Sequence, residues 1–197
     1  MRTADQTLLS KLGFQDPDKK TPLHDQICEY IALNSVHVAN YLREDKSQTP
    51  WSVVEVEMER LITKGTGIYQ THVGFIDVFL FLRRPDGVTT WKDGTTSQSF
   101  DGRAAYFEVK TNRISVSEAL RQIKVYKQFI SGGVFTSWAL ITVYEMSDLE
   151  KELLRRENIT HATAASLGFQ AAGRAPTPFF DQMGDSSGQV VNRSGQA

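Results

Sequence analysis

The sequence predicts a mixed α/β domain: a central mixed sheet flanked by helices, in the order α-β-β-β-α-β-α. Three observations predict it. A helical stretch opens at Thr21-Pro22, a two-residue period sets in at Trp51, and a helical crossover from Ser115 to Ile130 leads into an apolar strand, Thr136 to Tyr144.

Residues 1–20 read as a short arm ending in the turn-like Asp16-Pro17-Asp18-Lys19-Lys20. Thr21 then offers a hydroxyl N-cap and Pro22 a first-turn proline, both favourable at a helix start. Leu23, Ile27, Ile31 and Val38 recur near helical spacing, which predicts a helix to about Arg43 with a break near Asn34-Ser35. From Trp51, the apolar Val54, Val56 and Met58 alternate with Glu55, Glu57 and Glu59, as in a strand with one wet face. Lys64-Gly65-Thr66-Gly67 reads as a hairpin turn, and Ile68 to Leu82 as a long central strand, apolar on both faces of its second half except at Asp77. Pro85-Asp86-Gly87 and Lys92-Asp93-Gly94 predict turns in a polar insertion over 83–103, and Ala104 to Lys110 is a third strand. Leu120, Ile123, Tyr126 and Ile130 share one face of the crossover helix, which Gly132-Gly133 ends. A crossover helix makes the third and fourth strands parallel neighbours. Ser147-Asp148 caps a last helix through about Glu157. The domain is therefore expected over 21–168, followed by a flexible tail, 169–197, rich in Gly, Ser, Pro and Gln.

At 197 residues, with 40% hydrophobic and 23% charged, the chain has the size and composition of one globular domain. That excludes disordered, collagenous and membrane-embedded classes. The single cysteine, Cys28, can form neither an internal disulfide nor a CxxC zinc site, and the N-terminus has no apolar run behind it. A cytoplasmic location with no membrane contact is the expectation. Net charge is -1, so no polyanionic partner is advertised globally. Locally, Arg103, Lys110, Arg113, Arg121, Lys124 and Lys127 face only Glu108 and Glu118 over the same stretch. Gly65-Thr66-Gly67 lacks the GK[ST] of a phosphate-binding loop, so no nucleotide cofactor is expected.

Three charged residues stand where a central strand calls for Val or Ile: Asp77 in Gly74-Phe75-Ile76-Asp77-Val78-Phe79-Leu80, and Glu108 and Lys110 in Tyr106-Phe107-Glu108-Val109-Lys110-Thr111. Positions i and i+2 of a strand share a face, so Glu108 and Lys110 point together while Phe107 and Val109 enter the opposite core. Burying an unpaired charge costs several kcal/mol, roughly, so such groups exist to serve one another and something bound among them. Two carboxylates beside a lysine suit Mg²⁺, which takes one or two protein carboxylates and completes its shell with water and phosphate. The chemistry predicted is metal-assisted hydrolysis of a phosphodiester.

The pattern Asp77…Glu108-Val109-Lys110, followed by a helix carrying Gln122-Ile-Lys-Val-Tyr126, resembles the PD-(D/E)XK nuclease superfamily, in particular its restriction-endonuclease-like and Holliday-junction-resolvase-like members. The resemblance covers about Thr21 to Glu157 and implies a restriction-endonuclease-like core. It implies Asp77 and Glu108 as ligands of Mg²⁺, with Mn²⁺ substituting, the Val109 carbonyl as a further ligand, and Lys110 as the catalytic lysine. It also implies Gln122 as a site glutamine. Glu29 is the candidate for the first-helix acid that often joins the ligands, with Glu55 or Glu57 in its place otherwise. Ile76 stands where the family has proline. DNA is the implied partner, contacted by Arg113, Arg121, Lys124 and Lys127, and a homodimer is the family's default.

Blander readings accompany these. Asp77, Glu108 and Lys110 read otherwise as a functionless buried ion network, Gln122 as an exposed helix residue, and Tyr126 as core packing. Glu55, Glu57 and Glu59 read as the wet face of a strand. His24, His37, His72 and His161 show no ligand spacing, so zinc is not expected, although His24 could line the site. Trp91 could stack on a base but reads first as hairpin packing. The functional expectation is an Mg²⁺-dependent DNA endonuclease; the alternatives are a catalytically silent DNA-binding or assembly subunit on the same fold, or a nuclease acting on RNA or on DNA ends.

Overall fold

A computed structural model describes residues 21–43, 49–65, 70–130 and 135–171. The predicted arm, the Gly132-Gly133 helix stop, the Thr66-Gly67 part of the first turn and the tail beyond 171 lie outside the described residues. Nine elements are described: α1 (Pro22–Leu33), α2 (Ser35–Tyr41), β1 (Ser52–Lys64), β2 (Thr71–Thr90), β3 (Thr96–Lys110), α3 (Val116–Phe129), β4 (Phe135–Thr142), α4 (Asp148–Arg156) and β5 (Ile159–Thr163). The strands form one mixed sheet in the order β1-β2-β3-β4-β5, antiparallel through β3 and parallel from β3 to β5. Among the described residues no helix is long and apolar enough to cross a membrane.

Helix starts follow the local chemistry. Thr21, Ser115 and Ser147 each accept a backbone N–H three residues on, and Ser147 with Glu150 closes a reciprocal capping box. The break foreseen near Asn34 is real, and Asn34 donates its side-chain amide to the Tyr30 carbonyl.

Two cores lie on opposite faces of the sheet. On one, Ile27, Ile31 and Val38 of α1 and α2 meet Val78, Leu80, Phe107, Val109 and Ile141. On the other, Ala119, Ile123 and Tyr126 of α3, with Leu154 of α4, meet Ile76, Tyr106, Trp138 and Leu140. Consecutive residues of β3 and β4 alternate between the two, so a strand that is apolar at every position is buried on both sides. Fully burying one such Leu, Ile or Phe side chain contributes about 1.5–3 kcal/mol.

The outer parts differ from the sequence reading. Val54, Val56 and Met58 are exposed together with the glutamates between them, because β1 is an edge strand and, among the described residues, no helix covers that stretch. Pro85-Asp86-Gly87 does not turn the chain; it is a register shift within a long β2–β3 hairpin that runs on to Thr90↔Thr96. The turn lies at 91–95, where Asp93 accepts both the backbone and hydroxyl donors of Thr95. Trp91 there is exposed and donates to Ser97. The short β5 lies beside β4 with no counterpart in the sequence reading, because five residues around His161 leave too little pattern to separate a strand from a loop.

Gly168 follows β5 at φ +92, and a Cβ there would meet the Tyr30 hydroxyl at 2.7 Å. That hydroxyl donates to the Leu167 carbonyl at 2.8 Å, tying the segment after β5 to α1. Gly168→Ala is expected to destabilise the protein by about 2 kcal/mol, combining a left-handed backbone on a non-glycine residue with a displaced hydrogen bond. Urea melts of the two proteins check this; equal midpoints contradict it.

Candidate functional site

The β2–β3 ladder stops at Val78↔Phe107, and the charged residues stand just beyond its end. Ile76 packs in the α3-side core and Val78 in the α1-side core, so the alternation of β2 skips at Asp77. On β1, Met58 pairs with Val78 and Arg60 with Ile76, and Glu59 between them adopts φ 55. The irregularity thus runs across both strands at one level. It turns Asp77 out of the ordinary register, and its Oδ2 accepts the Val109 N–H at 2.7 Å. Asp77 is therefore bonded to the residue between Glu108 and Lys110, which brings the three expected groups to one place.

On β3, Glu108 and Lys110 share a face as their spacing requires, and Lys110 Nζ donates to Glu108 Oε1 at 2.6 Å. Both are almost fully buried, at 2% and 3% exposed, and Asp77 is 5% exposed. From α3, Gln122 donates through Nε2 to the same Glu108 oxygen at 2.8 Å and to the Tyr126 hydroxyl at 3.0 Å. Gln122 is buried, so it is no surface residue, and Tyr126 belongs to the core while also holding Gln122. The other Glu108 oxygen, Oε2, is buried with no hydrogen-bond partner. Burial, and then the Asp77 charge, push the Glu108 carboxyl up to about 7 against the opposing pull of Lys110. The Tyr126 hydroxyl is held protonated by burial and by the nearby Glu108 charge.

The first helix supplies a different residue from the one expected. Glu29 lies on the exposed side of α1, whereas His24, Ile27, Cys28 and Ile31 face the sheet. Glu55 and Glu57 are exposed on β1 as well. The group that reaches the site is His24, whose Nε2 lies 3.1 Å from Asp77 Oδ1. Thr21 explains its position: the hydroxyl accepts the His24 N–H and contacts the Thr111 hydroxyl at 3.2 Å, fastening the start of α1 to the end of β3. His24, Cys28 and Asp77 have ligand-type atoms within 4.8 Å of one another. Reading the histidines only against one another overlooked this group; the His24-x-x-x-Cys28 spacing, which puts both residues on one helix face, was the available signal.

The basic residues divide. Lys124 pairs with Glu157 at 2.7 Å, and Lys127 donates to the Glu157 carbonyl at 2.7 Å, so both tie α3 to the end of α4. Arg113 and Arg121 are exposed, the first in the loop directly after Lys110 and the second adjacent in sequence to Gln122. The hairpin turn at 91–95 lies at the far end of β3 from Glu108, roughly 40 Å away along the strand at 3.3 Å per residue.

The donor set fits a hard divalent cation: two buried carboxylates, one carboxylate oxygen with no donor, and acidic charge that Lys110 offsets only in part. No protein-family model matches the chain, and no curated protein or solved structure is significantly similar to it.

Proposed function

We propose that the chain is a divalent-metal-dependent nuclease that hydrolyses DNA phosphodiester bonds within the strand, on a restriction-endonuclease-like fold. The observation that carries this reading is the buried group of Asp77, Glu108 and Lys110 at the end of the β2–β3 ladder, with Glu108 Oε2 lacking a donor. The element order around it, helix, three strands, crossover helix and parallel strand, supports the same reading.

Asp77 and Glu108 would hold Mg²⁺ or Mn²⁺, with the Val109 carbonyl beside them. When bound, the cation lowers the pKa of water and offsets charge building on the phosphate. Lys110 fixes a positive charge at the same place, available to orient the attacking water or to stabilise the departing oxygen. Gln122 is a positioning residue, holding Glu108 Oε1 so that Oε2 faces inward unbonded. His24 holds Asp77 from the other side of the sheet. Arg113, Arg121 and Lys124 are exposed cations that would meet the backbone phosphates, with Lys127 beside them. A second copy of the chain is the partner the family resemblance implies, and β1 offers it an edge strand with Val54, Val56 and Met58 exposed.

The test is a cleavage panel of supercoiled, linear, nicked, four-way and single-stranded DNA, together with RNA, in Mg²⁺ and in EDTA. The expected result is cutting of circular DNA in Mg²⁺ and none in EDTA. Activity that survives EDTA would falsify the mechanism. Metal-independent binding with no cutting of any substrate favours the silent assembly subunit, and cutting confined to RNA or to ends reassigns the substrate.

A further inference from the structure

His24 and Cys28 sit four residues apart on α1, so one helix face presents an imidazole and a thiol together. Cys28 Sγ lies 3.7 Å from His24 Nδ1 and 3.9 Å from Nε2, and Nε2 lies 3.1 Å from Asp77 Oδ1. All three residues are buried, and their ligand-type atoms fall within 4.8 Å of one another. A zinc tetrahedron with ordinary bond lengths has edges of about 3.4 Å between nitrogen and oxygen and about 3.6 Å between sulfur and nitrogen. The 3.1 Å between Nε2 and Asp77 Oδ1 is close to such an edge, whereas Cys28 Sγ stands about equally far from both ring nitrogens, so its thiol must turn toward Asp77 to join an ion held on Nε2. A second feature supports the imidazole: Asp25 Oδ1 lies 3.2 Å from Nδ1, the outer-shell carboxylate that commonly orients a metal-binding histidine.

We infer that His24, Cys28 and Asp77 form a site for a thiophilic divalent ion, Zn²⁺ by its chemistry, with three protein ligands and an open fourth position. Nitrogen, sulfur and one carboxylate suit Zn²⁺ or Co²⁺ and do not suit Mg²⁺, which wants oxygen throughout. Cys28 gives its proton to solvent as it binds. Asp77 cannot serve this ion and a Mg²⁺ partner of Glu108 equally well, so zinc occupancy inhibits. That regulatory part rests on the nuclease reading above; the binding part does not.

Titrating the metal-free protein with Co²⁺ separates the two. The expected result is one equivalent bound, with the thiolate-to-cobalt charge-transfer band and visible bands of tetrahedral form, both displaced by Zn²⁺. Cys28→Ser is expected to lose the charge-transfer band and to bind Zn²⁺ more weakly by at least the roughly 10–100-fold that losing a mere supporting group costs. Zinc is expected to inhibit Mg²⁺-supported cleavage by the parent protein at far lower concentration than it inhibits the variant. No charge-transfer band in the parent overturns the inference, as does a band that persists in Cys28→Ser. Because the titration contains no nucleic acid, a chain that cuts nothing can still show the site. A chain that cuts with Mg²⁺ but shows no thiolate–cobalt band sinks this inference alone.

Discussion

Lys110→Met is expected to end Mg²⁺-dependent cleavage and to destabilise the metal-free protein by about 3–5 kcal/mol above neutral pH, the usual cost of removing one partner from a buried pair. Lys110 and Glu108 are both nearly inaccessible and lie 2.6 Å apart, so the variant leaves a buried carboxylate with its Coulombic partner gone. The loss should shrink in acid. Glu108 in the folded protein titrates at about 7, above its ordinary 4.5, so the folded state holds the proton more tightly than the unfolded chain. Stability from this group is fully present below about 4.5 and is lost as pH rises through about 7. In Lys110→Met the carboxyl is protonated at pH 5 and the destabilisation there should be small. The double variant Glu108→Gln, Lys110→Met removes both charges and should regain the stability while staying inactive. Urea melts in EDTA at pH 5 and pH 8 check all three proteins. Equal losses for Lys110→Met at the two pH values would assign its role to packing of the lysine stem.

Asp77→Asn should fold nearly as well as the parent yet cleave about a thousandfold more slowly, equivalent to about 4 kcal/mol of barrier. The amide oxygen can still accept the Val109 N–H that Asp77 Oδ2 accepts at 2.7 Å, and the amide nitrogen can face His24. What disappears is the negative charge. Asp77→Ala loses activity too, but it also strands the buried Val109 N–H, at a stability cost of about 1–3 kcal/mol. The pair thus separates the charge from the fold. Single-turnover cleavage in Mg²⁺ gives the first quantity and a thermal melt the second. If Asp77→Asn cuts at the parent rate, the carboxylate holds no metal that matters to the reaction.

Much of this site was legible before any coordinates because its residues violate a pattern. A carboxylate at 77, and a carboxylate and an ammonium at 108 and 110, interrupt runs that are otherwise apolar at consecutive positions, and the local sequence alone exposes them. The helix starts at Thr21, Ser115 and Ser147 were legible for a related reason: capping is settled by a hydroxyl and the backbone three residues on. Glu29 against His24 shows where such reading stops. Both sit on one amphipathic helix, and which side chain meets Asp77 depends on how α1 is rotated and fastened through Thr21 and Thr111, ninety residues apart. Lys124 and Lys127 are a similar case, since Glu157, which engages both, comes to them only through the packing of α4 on α3.

The sequence by itself determined the order of the principal elements, the two-faced burial of the central strands, and the presence of three charges that could not sit there unaccompanied. Each of these follows from neighbours a few positions away. Only the tertiary structure decided that β1 leaves Val54, Val56 and Met58 in solvent, that β5 completes the sheet, and that His24 and Cys28 stand over Asp77. Those outcomes depend on contacts between distant segments, whose free energies no local periodicity encodes.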